Sequence, residues 1–147
     1  MTHEGAPTVR VCDVELFPVV VLHERATLED AAQAMLRAHA PAVLVGARGA
    51  ILTEHDIVRA VARADTPRTA VAGLATPDPV TVDPCATALE AIDSMMRHGH
   101  RVLLVRDGRE PVGFVSLLDA CAALLAHRNV PTWLTGLRVA LRVEVVD

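Results

Sequence analysis

The sequence contains the same unit twice, with a period of sixty residues. The stretch from residue 20 to 45 and the stretch from residue 80 to 105 share one order of polar and apolar positions. After a slip of three residues in a loop, the register resumes, so that residues 53–56 align with residues 116–119. A repeat of this length is typical of a supersecondary unit that cannot bury its apolar face alone. Any binding site is therefore expected in two related copies.

Composition limits the class of protein. The chain has 147 residues, 52% of them hydrophobic and 2% aromatic, which indicates one domain, or two small halves sharing a core of Val, Leu, Ala and Met. Its longest apolar run, residues 120–126, is far shorter than the roughly 20 residues that span a bilayer. No signal peptide is visible, so we expect a cytoplasmic protein without a membrane partner.

Charge and cysteine content exclude further classes. A net charge of −4 argues against nucleic acid as a partner, because phosphate binding needs a basic surface. Cys12, Cys85 and Cys121 are isolated and odd in number, and fit neither a disulfide framework nor the spacing of metal ligands. We expect each to be a small apolar residue, buried or half-buried.

Each copy has the pattern strand, helix, strand, strand, helix. Runs of β-branched residues predict the strands, and a capping residue predicts the start of each helix. In the first copy the strands are residues 19–22, 42–45 and 50–52, and the helices begin at Thr27 and Thr53. In the second copy the strands are residues 80–82, 102–105 and 112–115, and the helices begin at Thr87 and Ser116.

Helical spacing predicts which face of the first helix in each copy is buried. Asp30 and Glu90 complete capping boxes at the starts of these two helices, and Gly99 ends the second of them. The expected apolar faces are Leu28, Ala31, Ala32, Met35 and Leu36, and Ala91, Ile92, Met95 and Met96.

The repeat also predicts the domain boundaries. We expect a disordered start at residues 1–8, a first repeat at 9–64, a connector with the second repeat at 65–126, and a C-terminal extension at 127–147. From Leu137 the extension alternates apolar and polar residues, which indicates a half-buried strand. Such a strand needs a sheet edge, in its own chain or in a partner.

The second copy carries a resemblance to a known family. It lies in the segments 79–84 (PVTVDP), 98–105 (HGHRVLLV) and 113–119 (GFVSLLD). With the duplication, these resemble a tandem pair of CBS domains, the arrangement called a Bateman module. The likeness covers roughly residues 9–126, and the chain looks similar to small stand-alone two-CBS proteins of actinobacteria. The first copy departs from the pattern, since Ala50 replaces a glycine and Ala40-Pro41 replaces His-Arg.

This resemblance implies an α/β fold of two β-α-β-β-α repeats, related by a pseudo-twofold axis and packed through their sheets. Two clefts then lie between the repeats. In many relatives these clefts bind adenosine-containing ligands such as AMP, ADP, ATP or S-adenosylmethionine, and the pairs commonly form flat homodimers. No other cofactor is implied.

Two motifs of the form Thr/Ser-x-x-Asp are the central site candidates. Thr53 and Asp56, and likewise Ser116 and Asp119, directly follow an apolar strand in the two copies. One interpretation is a capping box that satisfies free amides at a helix start. The other is a nucleoside site, in which the carboxylate accepts hydrogen bonds from a ribose diol and the helix N-terminus holds a phosphate.

His100 and Arg101 are the next candidates, because a guanidinium suits phosphate oxygens. The alternative is that both are surface residues at a strand start. In similar nucleotide-binding pairs the pseudo-twofold axis brings this position toward the aspartate of the other copy. We therefore hypothesise that the Thr53/Asp56 cleft, completed by His100 and Arg101, takes phosphate. The other cleft, facing Ala40 and Pro41, is empty or takes an adenosyl group without phosphate.

The adenine edge has candidate partners in the first strand of each copy, namely the backbone groups of Val20, Leu22, Val80 and Val82. Ordinary sheet pairing of the same groups is the alternative.

Metal and catalytic sites have little support. His98 and His100 lack further ligands at a convincing spacing, and there is no glycine-rich phosphate loop or nucleophile elbow. We therefore predict no metal and no catalytic residue.

The leading hypothesis is a non-enzymatic sensor of an adenosyl ligand that signals through a protein effector. A structural dimerisation module with vestigial clefts is the alternative, and a hydrolase is a third.

Overall fold

The computed structural model of the protein describes residues 8–127. The expected disordered start and the tail strand from Leu137 fall almost wholly outside these residues.

Within this range the chain forms two three-stranded sheets and four α-helices, the predicted α/β fold of two repeats. The first repeat contains β1 (Val21–Leu22), α1 (Leu28–Ala38), β2 (Ala42–Val45), β3 (Ala50–Thr53) and α2 (Glu54–Ala62). The second contains β4 (Thr81–Val82), α3 (Ala88–His98), β5 (Val102–Asp107), β6 (Glu110–Ser116) and α4 (Leu117–Ala126). In each sheet the first strand runs parallel and the last antiparallel to the central strand.

Several strands differ in length from the sequence prediction. The first strands are shorter, because only two residues of each pair with the central strand. The second hairpin is longer, because β5 and β6 continue past a register shift at Arg106 to the turn at Gly108. The residues added next to the turn are Arg106, Asp107, Glu110 and Pro111, and none of them belongs to a core cluster, so the apolar pattern ends before the hairpin does.

The predicted capping boxes start α1 and α3. Asp30 accepts a hydrogen bond from the backbone N–H of Thr27 at 3.0 Å, and its own N–H donates to the Thr27 hydroxyl at 3.2 Å. The bond from the Thr27 backbone holds the pKa of the Asp30 carboxyl below its usual value. Thr87 and Glu90 repeat this geometry at 3.1 and 3.0 Å. As predicted, Gly99 ends α3 in the left-handed conformation.

The central strand of each sheet is buried on both faces, since its alternate residues point to opposite sides and both sets are apolar and buried. Val43 and Val45 pack with the helices of their repeat, and Leu103 and Val105 do the same in the second. The residues between them meet in one cluster that joins the two sheets, here called the inter-sheet core: Ala42, Leu44, Ile51, Leu104 and Phe114. The repeats therefore pack through their sheets, as expected.

The segment that precedes β1 packs on the second repeat. We call residues 9–17 the N-terminal arm. Val9, Val11 and Val14 are buried in the core of the second repeat with residues of α3 and β5. Phe17 then pairs with Phe114 of β6 through backbone hydrogen bonds of 2.9 and 3.0 Å.

The segment between the repeats makes the reciprocal contact with the first repeat. Val71 is fully buried in the first core, and its N–H donates to the carbonyl of Ala26 at 3.0 Å. Thr76 pairs with Ile51 of β3 through bonds of 2.8 and 2.9 Å. Each core is thus completed by the segment that precedes the first strand of the other repeat, an exchange that the repeat pattern did not predict.

The expected apolar helix faces are wrong at one position in each repeat. Leu36 is 75% exposed and its counterpart Met96 is 68% exposed. Each lies one residue past the buried methionine of its helix, so the buried stripe is narrower than the spacing suggested. Among the described residues, none of the helices is long and apolar enough to cross a membrane.

Replacing Gly113 with alanine is predicted to destabilise the fold. A Cβ at this position would lie 2.9 Å from both the Leu16 Cβ and the Phe17 carbonyl oxygen, so the N-terminal arm would have to move. We expect Gly113→Ala to lower the free energy of unfolding by about 1–3 kcal/mol in urea titrations.

The matched control is Gly73→Ala, whose Cβ would meet no atom within 4 Å. It should stay within about 1 kcal/mol of wild type. Equal losses in both variants would contradict the packing argument.

Candidate functional site

The two Thr/Ser-x-x-Asp motifs occupy equivalent strand-to-helix turns. Thr53 is the last residue of β3 and the N-cap of α2, and Ser116 is the last residue of β6 and the N-cap of α4. Thr53 lies two residues after Ile51, and Ser116 lies two residues after Phe114. Because strand side chains alternate with a period of two, both hydroxyls lie on the sheet face that contributes to the inter-sheet core. The motifs therefore sit at the rim of the interface between the repeats.

The first motif is a half-buried hydrogen-bonded pair. Asp56 Oδ2 accepts from the Thr53 backbone N–H at 2.9 Å and from the Thr53 hydroxyl at 3.1 Å. Both bonds end on Oδ2, so Oδ1 takes no part in them. The carboxylate is thus oriented by two donors while its second oxygen lies outside the pair.

The second motif uses its hydroxyl differently. The Ser116 hydroxyl donates to Asp119 Oδ2 at 3.0 Å and accepts from the Asp119 backbone N–H at 3.1 Å. Ser116 and Asp119 are both half-buried. The predicted capping box is present at Thr53. At Ser116 the hydroxyl caps the Asp119 N–H, so the two turns are similar but not identical.

This geometry allows a second role for the carboxylates. No polar or charged side chain in residues 8–127 is fully buried, so these carboxylates keep access to solvent. A carboxylate has about four lone-pair sites and can accept two hydrogen bonds from a diol while it caps a helix. The N–H groups and the positive end of the helix dipole favour an anion beside it.

His100 and Arg101 are exposed and lie beside the helix start of their own repeat. The Arg101 carbonyl accepts from the Leu117 N–H at 2.8 Å, as the Pro41 carbonyl accepts from the Glu54 N–H at 3.0 Å. Among the described residues no ion pair holds the Arg101 guanidinium, so it has a charge to offer a ligand. The imidazole of His100 stacks on that of His98, with 6.0 Å between ring centres.

The corresponding positions of the first repeat are apolar and less accessible. Ala40 is buried and Pro41 is half-buried. The two repeats therefore differ in charge at this position, the asymmetry on which the hypothesis of two unequal clefts depends.

Some backbone N–H and C=O groups of β1 and its flanking residue face β2, and others face the free edge of the sheet. The Val20 carbonyl accepts from Leu44 at 2.8 Å, and the Leu22 carbonyl accepts from Gly46 at 2.9 Å. For these two carbonyls the sheet-pairing alternative applies. Because backbone groups alternate along a strand, the N–H and C=O of Val21 lie on the outer edge.

The second repeat follows the same register. Thr81 takes the position of Val21, and the side chains of Val80 and Val82 pack on the second core. The predicted adenine partners Val20, Leu22, Val80 and Val82 are the neighbours of these two residues, and their role in binding stays a prediction. The alternation of a parallel strand is the signal from which the outward direction of the Val21 and Thr81 backbone groups could have been predicted.

Residues 8–127 contain no group of three or more His, Cys, Asp or Glu side chains that could hold a metal ion.

Comparison with known proteins now identifies the family. The family model described as CBS domain matches residues 11–63 and again residues 71–126. The chain belongs to the CBS domain family. The two matches correspond to the two repeats of the fold, so this is a tandem CBS-domain protein. A search of curated proteins finds no match.

Solved structures with the same fold include CBS proteins with bound ligands. A CBS domain protein of Pyrobaculum aerophilum complexed with AMP is 27% identical, with a TM-score of 0.70 over 81% of this chain and 98% of that one. A CBS-domain protein of Burkholderia ambifaria, described as a putative signal-transduction protein, is 24% identical, with a TM-score of 0.73 over 84% and 97%.

A third structure is a CBS domain pair in complex with 5′-methylthioadenosine and S-adenosyl-L-methionine. It is 19% identical, with a TM-score of 0.72 over 83% of this chain and 100% of that one. At this identity the likeness concerns the fold.

Proposed function

We propose that the protein is a non-enzymatic regulatory module that binds an adenosine-containing ligand between its two CBS repeats. The observation that carries this proposal is the pair of half-buried Thr/Ser-x-x-Asp turns, which sit at equivalent places on the rim of the inter-sheet core. The AMP bound by the 27% identical relative supports the ligand class. The ligand would be AMP, ADP, ATP or S-adenosylmethionine.

In this proposal each part of the turn recognises one part of the ligand. Asp56 or Asp119 accepts hydrogen bonds from the two ribose hydroxyls, and the hydroxyl and first amides of α2 or α4 contact the phosphate. The outer backbone edge of the first strand, at Val21 or Thr81, reads the adenine. Because backbone groups make these contacts, recognition of the adenine needs no particular side chain at either position.

The two clefts are proposed to differ in the ligand that they accept. The Thr53/Asp56 cleft, completed by His100 and Arg101 from the other repeat, takes the phosphate-bearing ligand, because a guanidinium suits phosphate oxygens. The Ser116/Asp119 cleft faces Ala40 and Pro41 and so lacks that charge. It is empty or takes an adenosyl group without phosphate.

A ligand held by both repeats would couple its own binding to their relative orientation. Free energy gained in a cleft would favour one arrangement of the inter-sheet core, and a protein effector that prefers this arrangement would bind more tightly. The output of the module is therefore proposed to be a change in association with a protein partner.

We also propose that two copies associate through the outer faces of the helices. Large apolar side chains are exposed on helices of both repeats: Leu36, Val58, Val61, Leu89, Met96, Leu118 and Leu125. Exposed apolar side chains on the helices of both repeats suit an interface, and a twofold dimer would cover the same surface on both chains. A dimer with vestigial clefts is the second candidate function, favoured by Ala50 and Pro41, which depart from the family pattern.

Thermal stability in the presence of nucleotides tests ligand binding. We expect at least one of AMP, ADP, ATP and S-adenosylmethionine to raise the unfolding temperature. A ligand at about 100 times its Kd adds about 2.7 kcal/mol to the free energy of unfolding. The double variant Asp56→Ala/Asp119→Ala should lose this shift.

The matched control is Asp30→Ala, which removes a capping carboxylate at the start of α1, away from the two motif turns. It should keep the full ligand shift. A wild-type protein that shows no shift with any of these ligands, and whose dimer is unaffected by them, would favour the structural alternative.

Arg101→Ala tests the completion of one cleft by the other repeat. Removing a charge-assisted contact should weaken AMP binding about tenfold to a hundredfold. Affinity measured by calorimetry for adenosine, which has no phosphate, should change little. Arg97→Ala, which breaks an exposed ion pair with Asp93 on α3, is the control and should leave both affinities unchanged. If Arg101→Ala left AMP affinity unchanged while Asp56→Ala abolished it, the cross-cleft assignment would be wrong.

Charged substitutions on the helices test the dimer. We expect Leu36→Glu/Met96→Glu to sediment as a monomer at concentrations where wild type is a dimer, because two apolar contacts per chain would become buried charges. Val112→Glu, at an exposed position on β6 rather than on a helix, should remain dimeric. A monomeric wild type would overturn this part of the proposal.

A further inference from the structure

Two exposed cysteines lie where the N-terminal arm meets the second repeat. Cys12 is in a single turn of 3-10 helix, Val11–Asp13, and Cys85 is in the loop between β4 and α3. The expectation that the cysteines are buried or half-buried apolar residues is wrong for these two, since both are exposed. Only Cys121 is half-buried. The two exposed thiols belong to neither motif turn.

Backbone hydrogen bonds hold the two cysteines side by side. The Val11 N–H donates to the Ala86 carbonyl at 2.8 Å, and the Cys12 N–H donates to the Pro84 carbonyl at 3.0 Å. These two acceptors flank Cys85 in the chain. Standard peptide dimensions then place the Cα atoms of Cys12 and Cys85 about 5–7 Å apart. Disulfides join Cα atoms that are about 4.4–6.8 Å apart.

An isolated antiparallel bridge joins Arg10 and Thr87, each two residues from one of the cysteines. The 3-10 turn at Val11–Asp13 ends this pairing, and the Cys12 N–H then bonds to the Pro84 carbonyl. The two cysteines are 73 residues apart in the sequence, so the sequence alone gives no sign that they are neighbours.

Both backbones are held in place before any bond forms. Val11 and Val14 are buried, and they share one face of the 3-10 turn because residues three apart coincide in such a helix. Cys12 therefore lies on a different face of that turn. At Cys85 the N–H donates to Asp83 Oδ1 at 2.7 Å, and the carbonyl accepts from the Arg10 guanidinium.

We propose that Cys12 and Cys85 are a redox-active dithiol that forms a reversible disulfide with hydroperoxides. One thiolate attacks a peroxide oxygen, which breaks the O–O bond and gives a sulfenic acid and one water from hydrogen peroxide. The second sulfur then displaces the sulfenic oxygen as a second water and forms the S–S bond. Two electrons pass from the sulfurs to the peroxide, and a dithiol reductant reverses the step.

This disulfide would fasten the N-terminal arm covalently to the second repeat. In the dithiol form the arm is held by the buried valines and the backbone bonds to residues 84–88 and 114. The cross-link closes a long loop in the unfolded chain, which stabilises the folded protein. The unfolding temperature should rise by about 10 °C on oxidation. The proposal does not depend on ligand binding in the clefts.

Peptide mapping of the full-length protein tests the pairing. Trypsin cleaves after arginine, which puts the three cysteines in three separate peptides, residues 11–25, 69–97 and 110–128. The native protein is treated with hydrogen peroxide, its remaining thiols are alkylated, and the digest is analysed by mass spectrometry without reductant. We expect peptide 11–25 linked to peptide 69–97 within one chain, at least tenfold over either linkage to 110–128.

Three variants and a denatured sample complete the test. Cys12→Ser and Cys85→Ser should each abolish both the linkage and the rise in unfolding temperature, and Cys121→Ser should leave both unchanged. In guanidinium chloride the preference for one pair should disappear, because the folded arm creates it. Native protein that yields no 11–25/69–97 linkage, or yields it no more often than the other pairs, would overturn the proposal.

Discussion

The architecture depends on burying both faces of two small sheets. Each sheet has three strands, and its central strand carries apolar residues on both sides, so a single repeat would leave one apolar face in water. The inter-sheet core removes that face by pairing Leu44 and Ile51 with Leu104 and Phe114. Removing a buried phenylalanine typically costs about 3–5 kcal/mol, a large part of the stability of a domain of this size. The second repeat is thus needed to bury the apolar sheet face of the first, and the first repeat does the same for the second.

The same alternation of strand residues places the candidate site residues beside the inter-sheet core. Ile51 and Phe114 face the other sheet, and the residues two positions further, Thr53 and Ser116, continue that face at the rim. Each strand ends there because a helix begins, and the capping pair fixes an aspartate beside the interface. The turns that are proposed to bind the ligand therefore follow directly from the strands β3 and β6, which also contribute to the inter-sheet core.

The exchange of segments accounts for a difference between the two copies. Gly113 lacks space for a side chain because Leu16 and Phe17 of the N-terminal arm lie against it. In the first repeat the pairing of Thr76 with Ile51 puts Ala75 at the position equivalent to Leu16. Ala50, which replaces the glycine there, thus faces a different segment. Its presence reflects the exchanged packing partner and is weak evidence for a vestigial cleft.

The sequence predicted those features that depend on neighbouring residues. The repeat, the capping boxes at Thr27 and Thr87, and the end of α3 at Gly99 follow from local patterns, and all are present. The exchange of segments could not be predicted from the sequence, because backbone hydrogen bonds between distant segments leave no recognisable pattern in the order of the residues. The exposed Leu36 and Met96 were missed because helical spacing gives the direction of an apolar stripe but not the width that a neighbour covers. The proximity of Cys12 and Cys85 depends on the same exchange.

The central claim is that one fold presents two unequal clefts, of which the one at Asp56 takes phosphate. The most direct measurement is the stoichiometry of AMP binding to the full chain by isothermal titration calorimetry. We expect one high-affinity AMP per chain, lost in Asp56→Ala and retained in Asp119→Ala. Two equivalent sites per chain, or a single site lost in Asp119→Ala and retained in Asp56→Ala, would contradict it.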